Sequence, residues 1–380
     1  MGAEGGIGHG VAPPLTGRRP DAARTRYAPD MSALTRDESL ATRWGRRARS
    51  IGAHLVASTL LLTTLPIVLP LLILTDVLRG ARFSATRFLG MIAVYLACEQ
   101  LGVLTSGWLW LTRGRDPAAW TQRNFRLQCW WARTLFGAGE RLFGLRVQVE
   151  GLEVVAPGPI VMFVRHASVA DTLLPAVFVS SRLGILLRYV LKRELLWDPC
   201  LDIVGQRLPN VFVRRGSADP AREIATVQRL AQDLGPTDGV LLFPEGTRFS
   251  PKRRADALAK LAAGNDPALA ARAAGLVNVL PPRLGGALAL LDAAPDADVV
   301  FCGHVGFDGA LRLGDLWNGA LVDRAVRIVF WRCPRASIPA DRDARIDWLY
   351  REWERLDAWV GARGEGGADA ACRPRDTAGA

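Results

Sequence analysis

The spacing of apolar positions changes character along the chain. From Ser50 to Thr75 no Asp, Glu, Lys or Arg occurs, and Leu55 to Leu74 is almost wholly Leu, Val, Ile and Thr around Pro66 and Pro70. About twenty such residues suffice for a helix to cross a bilayer. A second apolar run from Phe88 to Leu111 is interrupted by Glu99-Gln100, with Trp108 and Trp110 near its end, as in an aromatic belt. The pattern predicts a membrane helical hairpin over 50–113. The first run starts too late for an ordinary signal peptide. Two alternatives stay open: a shallow hairpin in one leaflet, which the prolines and Glu99-Gln100 would suit, and a pair of helices in a soluble core.

Residues 120–145 interleave Leu127, Trp131, Leu135 and Leu142 with Arg123, Arg126, Arg133 and Arg141. At helical spacing this predicts an amphipathic helix, lying either on a lipid surface or against the domain. From residue 145 short apolar runs alternate with helical stretches. Strands are expected at Leu145–Val149, Ile160–Val164, Leu186–Leu191, Asn210–Val213, Gly239–Phe243, Val299–Cys302 and Val326–Trp331. Helices are expected at Asp171–Ser181, Pro220–Leu234, Arg283–Ala293 and about Asp341–Val360. This is the signature of an α/β domain, a layered mixed sheet flanked by helices, spanning 120–360 behind the hairpin. Residues 1–49 form a basic arm, disordered at least over 1–30, and 361–380 a Gly- and Ala-rich disordered tail.

Charge adds direction. The chain of 380 residues carries 48 Lys and Arg against 37 Asp and Glu, a formal net charge of +11. That excess fits anionic lipid or phosphorylated substrates, and no nucleic-acid motif accompanies it. Arg43, Arg46, Arg47 and Arg49 precede the hairpin, and Arg113, Arg115, Arg123 and Arg126 follow it, so both flanks and the domain are expected on the cytoplasmic side. Arg79, Arg82 and Arg87 in the connecting loop weaken that bias. The six cysteines form no C-x-x-C pair, which argues against a disulfide framework or a zinc site.

Two motifs carry chemistry. Of the four histidines, His9 lies in the arm and His54 at the edge of the first run. His166 heads the segment His166-Ala167-Ser168-Val169-Ala170-Asp171. Residues five apart point about 140° apart on a helix, and in a strand they lie roughly 17 Å apart on opposite faces. Only a strand-to-helix turn brings Asp171 to His166, and the buried-strand pattern up to Val164 followed by a helix start supplies one. Asp171 would then orient one ring nitrogen while the other accepts a proton; a helix N-cap is the compatible alternative. The second motif, Phe243-Pro244-Glu245-Gly246-Thr247-Arg248, follows a strand at the sheet edge where α/β proteins place ligands. Arg248 suits a phosphate, or a salt bridge on a surface turn. Ser168 lacks a nucleophile elbow and reads as a turn residue. His304 and Asp308 read as structural.

The pair His166-x4-Asp171 and Phe243–Arg248 resembles the signature of the glycerolipid acyltransferase family, which includes 1-acylglycerol-3-phosphate O-acyltransferase. Leu191-Lys192-Arg193-Glu194-Leu195, Val211-Phe212-Val213-Arg214-Arg215 and Val279-Leu280-Pro281-Pro282-Arg283 resemble its intermediate and final blocks, so the likeness spans about 120–335. Arg165, where the family often has Asn, and Arg214, where it often has Asp, depart from the pattern. The resemblance implies that His166 is the general base and Asp171 its orienting carboxylate. It implies that Glu245, Gly246, Thr247, Arg248 and Arg215 bind the acceptor phosphate, with Lys192 assisting. It also implies acyl-CoA or acyl carrier protein as co-substrate, no metal and no other cofactor, and a lysophospholipid acceptor whose product is phosphatidate. Another lysophospholipid, an aminolipid or a glycolipid remains an alternative acceptor, and a non-catalytic scaffold binding anionic lipid is the reading outside enzymology.

Overall fold

The computed structural model describes residues 38–213, 220–308, 310 and 312–364. Three long helices come first: α1 (Leu40–Arg79), α2 (Ser84–Leu111) and α3 (Pro117–Phe143). The domain proper follows as β1 (Arg146–Glu150), β2 (Ile160–Val164), β3 (Leu186–Lys192), α4 (Pro199–Ile203), β4 (Val211–Val213), α5 (Pro220–Leu230), β5 (Asp238–Leu242), α6 (Pro251–Ala262), α7 (Pro267–Ala274), α8 (Leu284–Ala293), β6 (Asp298–Val305), α9 (Leu313–Trp317), β7 (Ala325–Cys333) and α10 (Arg342–Gly364).

The seven strands form one sheet in the order β1-β7-β6-β2-β5-β3-β4. All neighbours are parallel except β6 and β7. The sheet is thus mixed, as the alternation of patterns predicts. β2 lies near its middle, and all five of its residues are buried. Val161 and Phe163 enter the core beneath α5, α8 and α10, while Ile160, Met162 and Val164 enter the core beneath α3 and Pro175–Ser181. A strand alternates its side chains between faces, so a central strand covered on both sides must be apolar throughout. Each large side chain buried this way contributes on the order of 1.5–3 kcal/mol.

The hairpin divides sharply in character. α1 begins at Leu40, capped by the Ser39 hydroxyl, rather than near Ser50. Its apolar stretch is almost entirely exposed, with only 6% of the residues buried, and Leu55, Leu60, Ile67, Leu71 and Leu74 all point outward. Both helices are long and apolar enough to cross a membrane. The apolar face of α1 is thus left uncovered by the domain. Its first turns are instead pinned to the domain: Arg46 donates from Nε and Nη2 to the two carboxylate oxygens of buried Asp202, at 3.0 and 2.9 Å, and Arg47 donates to its backbone oxygen at 3.1 Å.

α2 runs without a break through Glu99-Gln100. Glu99 is fully buried on the side facing the domain, where it accepts from Trp131 Nε1 at 2.7 Å and from the Cys200 amide at 3.0 Å. The polar pair is a docking point, not an interruption. α3 settles the open question of its apolar stripe. Phe125, Leu127, Leu135 and Phe136 are buried against the protein, and Arg123, Arg126, Arg133 and Arg141 are exposed on the opposite side. Packing on the domain therefore replaces apolar insertion at a lipid surface.

Candidate active site

β2, β5 and β6 are neighbours and parallel, with Phe163 opposite Leu242 and Val164 opposite Cys302. Their carboxyl ends open on one edge of the sheet. The two sequence motifs leave from β2 and β5, so the topology brings together segments that lie 79 residues apart between His166 and Glu245.

After Val164 the chain turns and enters a short 3-10 helix, Ala170–Leu173. Asp171 folds back over this turn. Its Oδ2 accepts from the Ala167 amide at 2.7 Å and from the Ser168 amide at 2.8 Å. It thus caps the residues that precede it rather than a helix that follows. His166 Nδ1 lies 3.2 Å from Oδ1 and 3.3 Å from Oδ2. Burial opposes the Asp171 charge, but hydrogen bonds from His166 and His304 outweigh it and hold the carboxyl well below its usual range. An ionised carboxylate only accepts, so Nδ1 carries the hydrogen and Nε2 presents its lone pair. No described residue bonds Nε2. That tautomer is competent to take a proton.

The second motif clamps His166 from both sides. Glu245 Oε1 accepts from the His166 amide at 3.0 Å, and the Phe249 amide donates to the His166 carbonyl at 2.7 Å. The Phe243 ring lies 4.6 Å from the imidazole, centroid to centroid. Glu245 is 2% exposed and turned inward, its Oε2 facing the Leu280 amide at 3.4 Å. Both carboxylate oxygens thus face backbone amides. Desolvation pushes it up to about 8, only partly offset by the His166 amide and Arg165.

Gly246, Thr247 and Arg248 are half-exposed beyond it. Gly246 adopts φ +67, a left-handed conformation that side chains rarely tolerate, and an added Cβ would meet Arg283 Nε at 2.6 Å. Arg248 offers its carbonyl to Arg253 Nη1 at 3.0 Å. Lys192 is the last residue of β3, beside β5, half-buried on the same sheet edge. Arg215 lies outside the described residues.

Two residues enter the site that the sequence reading left out of it. Arg165 is buried and donates to the His304 carbonyl at 2.6 Å, the Asn278 carbonyl at 3.2 Å and Asp308 Oδ1 at 2.8 Å. Asp308 thus pairs with Arg165, not with His304. His304, fully buried on β6, places Nε2 3.0 Å from the Arg165 carbonyl and 3.4 Å from Asp171 Oδ2. The signal available was a histidine at the end of a buried strand, which by itself is no more than a core residue. Ser168 supports the turn as expected, donating to the Ala310 carbonyl at 2.9 Å and accepting from the Ala170 amide at 3.2 Å.

A strand-to-turn histidine backed by a buried carboxylate, on the edge of a mixed α/β sheet, is an arrangement suited to taking a proton from a bound hydroxyl. The pattern of the Acyltransferase family matches residues 146–283, which include both motifs. The 1-acyl-sn-glycerol-3-phosphate acyltransferase epsilon of Mus musculus is 24% identical over 254 residues, covering 63% of this chain and 68% of that protein. The crystal structure of the 1-acyl-sn-glycerophosphate acyltransferase PlsC from Thermotoga maritima aligns with a TM-score of 0.47 at 17% identity, over 73% of this chain and 95% of that one. Residues 146–283 therefore carry an acyltransferase domain, and the chain is an O-acyltransferase similar to the 1-acyl-sn-glycerol-3-phosphate acyltransferases.

Proposed function

We propose that this protein is a membrane-bound enzyme that moves a fatty acyl group from acyl-CoA or acyl carrier protein to the hydroxyl of 1-acylglycerol-3-phosphate, giving phosphatidate. His166 Nε2 removes the hydroxyl proton as that oxygen attacks the thioester carbonyl. The tetrahedral intermediate collapses by breaking the C–S bond, and the leaving thiolate regains a proton from the imidazolium. Asp171 holds Nδ1–H and stabilises the charged ring. The observation that carries this reading is the His166 backbone held on both sides by the Glu245–Phe249 loop while its Nδ1 faces Asp171.

Gly246, Thr247, Arg248, Arg215 and Lys192 receive the acceptor phosphate, and Glu245 serves that site by positioning the loop rather than by touching the anion. The exposed apolar face of α1 seats the enzyme in the bilayer, with the domain on the cytoplasmic side. The outward arginines of α3 attract anionic lipid. The mouse relative, a 1-acyl-sn-glycerol-3-phosphate acyltransferase, supports the acceptor assignment.

His166→Ala is expected to abolish acyl transfer while leaving the melting transition and membrane binding intact. Retained turnover in a folded His166→Ala protein refutes the base assignment. Presenting a panel of lyso acceptors with one labelled acyl-CoA tests the headgroup. Preference for an acceptor without phosphate moves the enzyme to the aminolipid or glycolipid class.

A further inference from the structure

We infer that His304 is a positioning residue of the acyl-transfer site, acting through Asp171; the inference rests on the reading of His166 as the base. Its Nε2 faces two groups that only accept, the Arg165 carbonyl at 3.0 Å and Asp171 Oδ2 at 3.4 Å. Nε2 therefore carries the hydrogen and shares it between them. Its Nδ1 is buried with no hydrogen-bond partner among the described residues. A hydrogen there would be a buried donor without an acceptor, so the ring's hydrogen sits on Nε2, where acceptors face it. The Phe307 ring packs edge-on against the imidazole, 5.9 Å away centroid to centroid. The contact is reciprocal, because Arg165 Nη1 donates to the His304 carbonyl at 2.6 Å while the Arg165 carbonyl accepts from the His304 ring.

The consequence concerns how firmly the Asp171 carboxylate is held against His166. Oδ2 faces the Ala167 amide, the Ser168 amide, His304 Nε2 and, at 3.3 Å, His166 Nδ1 as well. Oδ1 faces His166 Nδ1 alone among the described residues. A carboxylate gripped at Oδ2 from two directions, by the turn of its own motif and by β6, cannot rotate Oδ1 away from the base. His304 thus ties the strand beside β2 to the orientation of the dyad. Among the described residues, no other element supplies a donor to Asp171 from that side.

Three variants at one position test this. His304→Met keeps length and volume but removes the donor, and kcat is expected to fall about thirtyfold with both KM values within about twofold. His304→Gln restores a donor of similar reach and is expected to recover most of that loss. If the Met variant does not fold, His304→Asn replaces it. Its amide ends one methylene short of Asp171, and a drop of about tenfold relative to Gln supports the inference. Wild-type kcat in a folded Met variant overturns it. So does equal kcat in the Asn and Gln variants, or a Gln variant as impaired as a folded Met variant. His166→Ala measured beside them separates the two readings. An inactive His166→Ala with an unaffected His304→Met removes only the role of His304, whereas an active His166→Ala removes the base.

Discussion

Two turns leave adjacent strands of this sheet, each carries one buried carboxylate, and each carboxylate accepts backbone amides. Asp171 faces two amides and two imidazole nitrogens, and those partners hold it ionised against its burial. Glu245 faces two amides only, at 3.0 and 3.4 Å, and burial prevails, pushing it up to about 8. The difference teaches that depth alone does not decide charge in this site; the number and chemistry of donors does. It also divides the labour. The charged carboxylate faces the side chain of His166, and the carboxylate biased toward neutrality faces its backbone.

The largest test of that division is Asp171→Asn. The amide oxygen would take the Ala167 and Ser168 amides, leaving an NH2 group toward His166 Nδ1. The ring would then carry its hydrogen on Nε2, where the base needs a lone pair. A loss of about 10³–10⁴ in kcat is expected, as for an orienting carboxylate amidated in other triads, measured with labelled acyl-CoA at saturating acceptor.

Glu245→Gln is expected to do much less. Its oxygen can keep the His166 amide, and its NH2 replaces only the long contact to Leu280, donor against donor. Leaving one such amide unpaired costs about 1–3 kcal/mol of stability, with kcat lowered about tenfold through His166 and KM little changed. A Glu245→Gln defect as deep as that of Asp171→Asn would break the comparison, by showing that the second carboxylate needs its charge for the chemistry.

The smallest effect sharpens the comparison by its sign. Asp171 is held below its usual range, so its contribution to stability is present above pH of about 4 and is lost as pH falls through the lower folded value. Glu245 is raised to about 8, so its contribution is fully present below about 4.3 and is lost as pH rises toward 8. Between those limits the wild type should lose a few degrees, roughly 2–4 °C per kcal/mol, that Glu245→Gln does not lose. Parallel melting curves from pH 5 to 8 for the two proteins would contradict the raised carboxyl.

Much of this architecture is legible in the residues. All seven strands fall within a few residues of the runs that announce them, because the central strands are covered on both faces and are continuously apolar, while the outer ones alternate at strand period. The His166–Asp171 turn is legible because no regular element brings residues five apart into contact. Other features are not. The helical pattern after Asp171 resolves into a 3-10 turn and the wider π-helical turn Pro175–Ser181, a local choice that hydrophobic spacing does not encode. Glu99-Gln100 looks like a flaw in an apolar run until Trp131 and Cys200 are seen to bond Glu99.

The residues alone announce the seven strands, the two apolar helices and the pair of motifs, because local propensity and hydrophobic period are written into neighbouring residues. Only the tertiary structure decided that β2, β5 and β6 lie side by side, that Glu245 turns inward to hold His166, and that His304 reaches Asp171 from a strand more than a hundred residues away. Strand order and side-chain direction depend on contacts between distant segments, and a hydrogen bond across a sheet leaves no period in the chain that makes it.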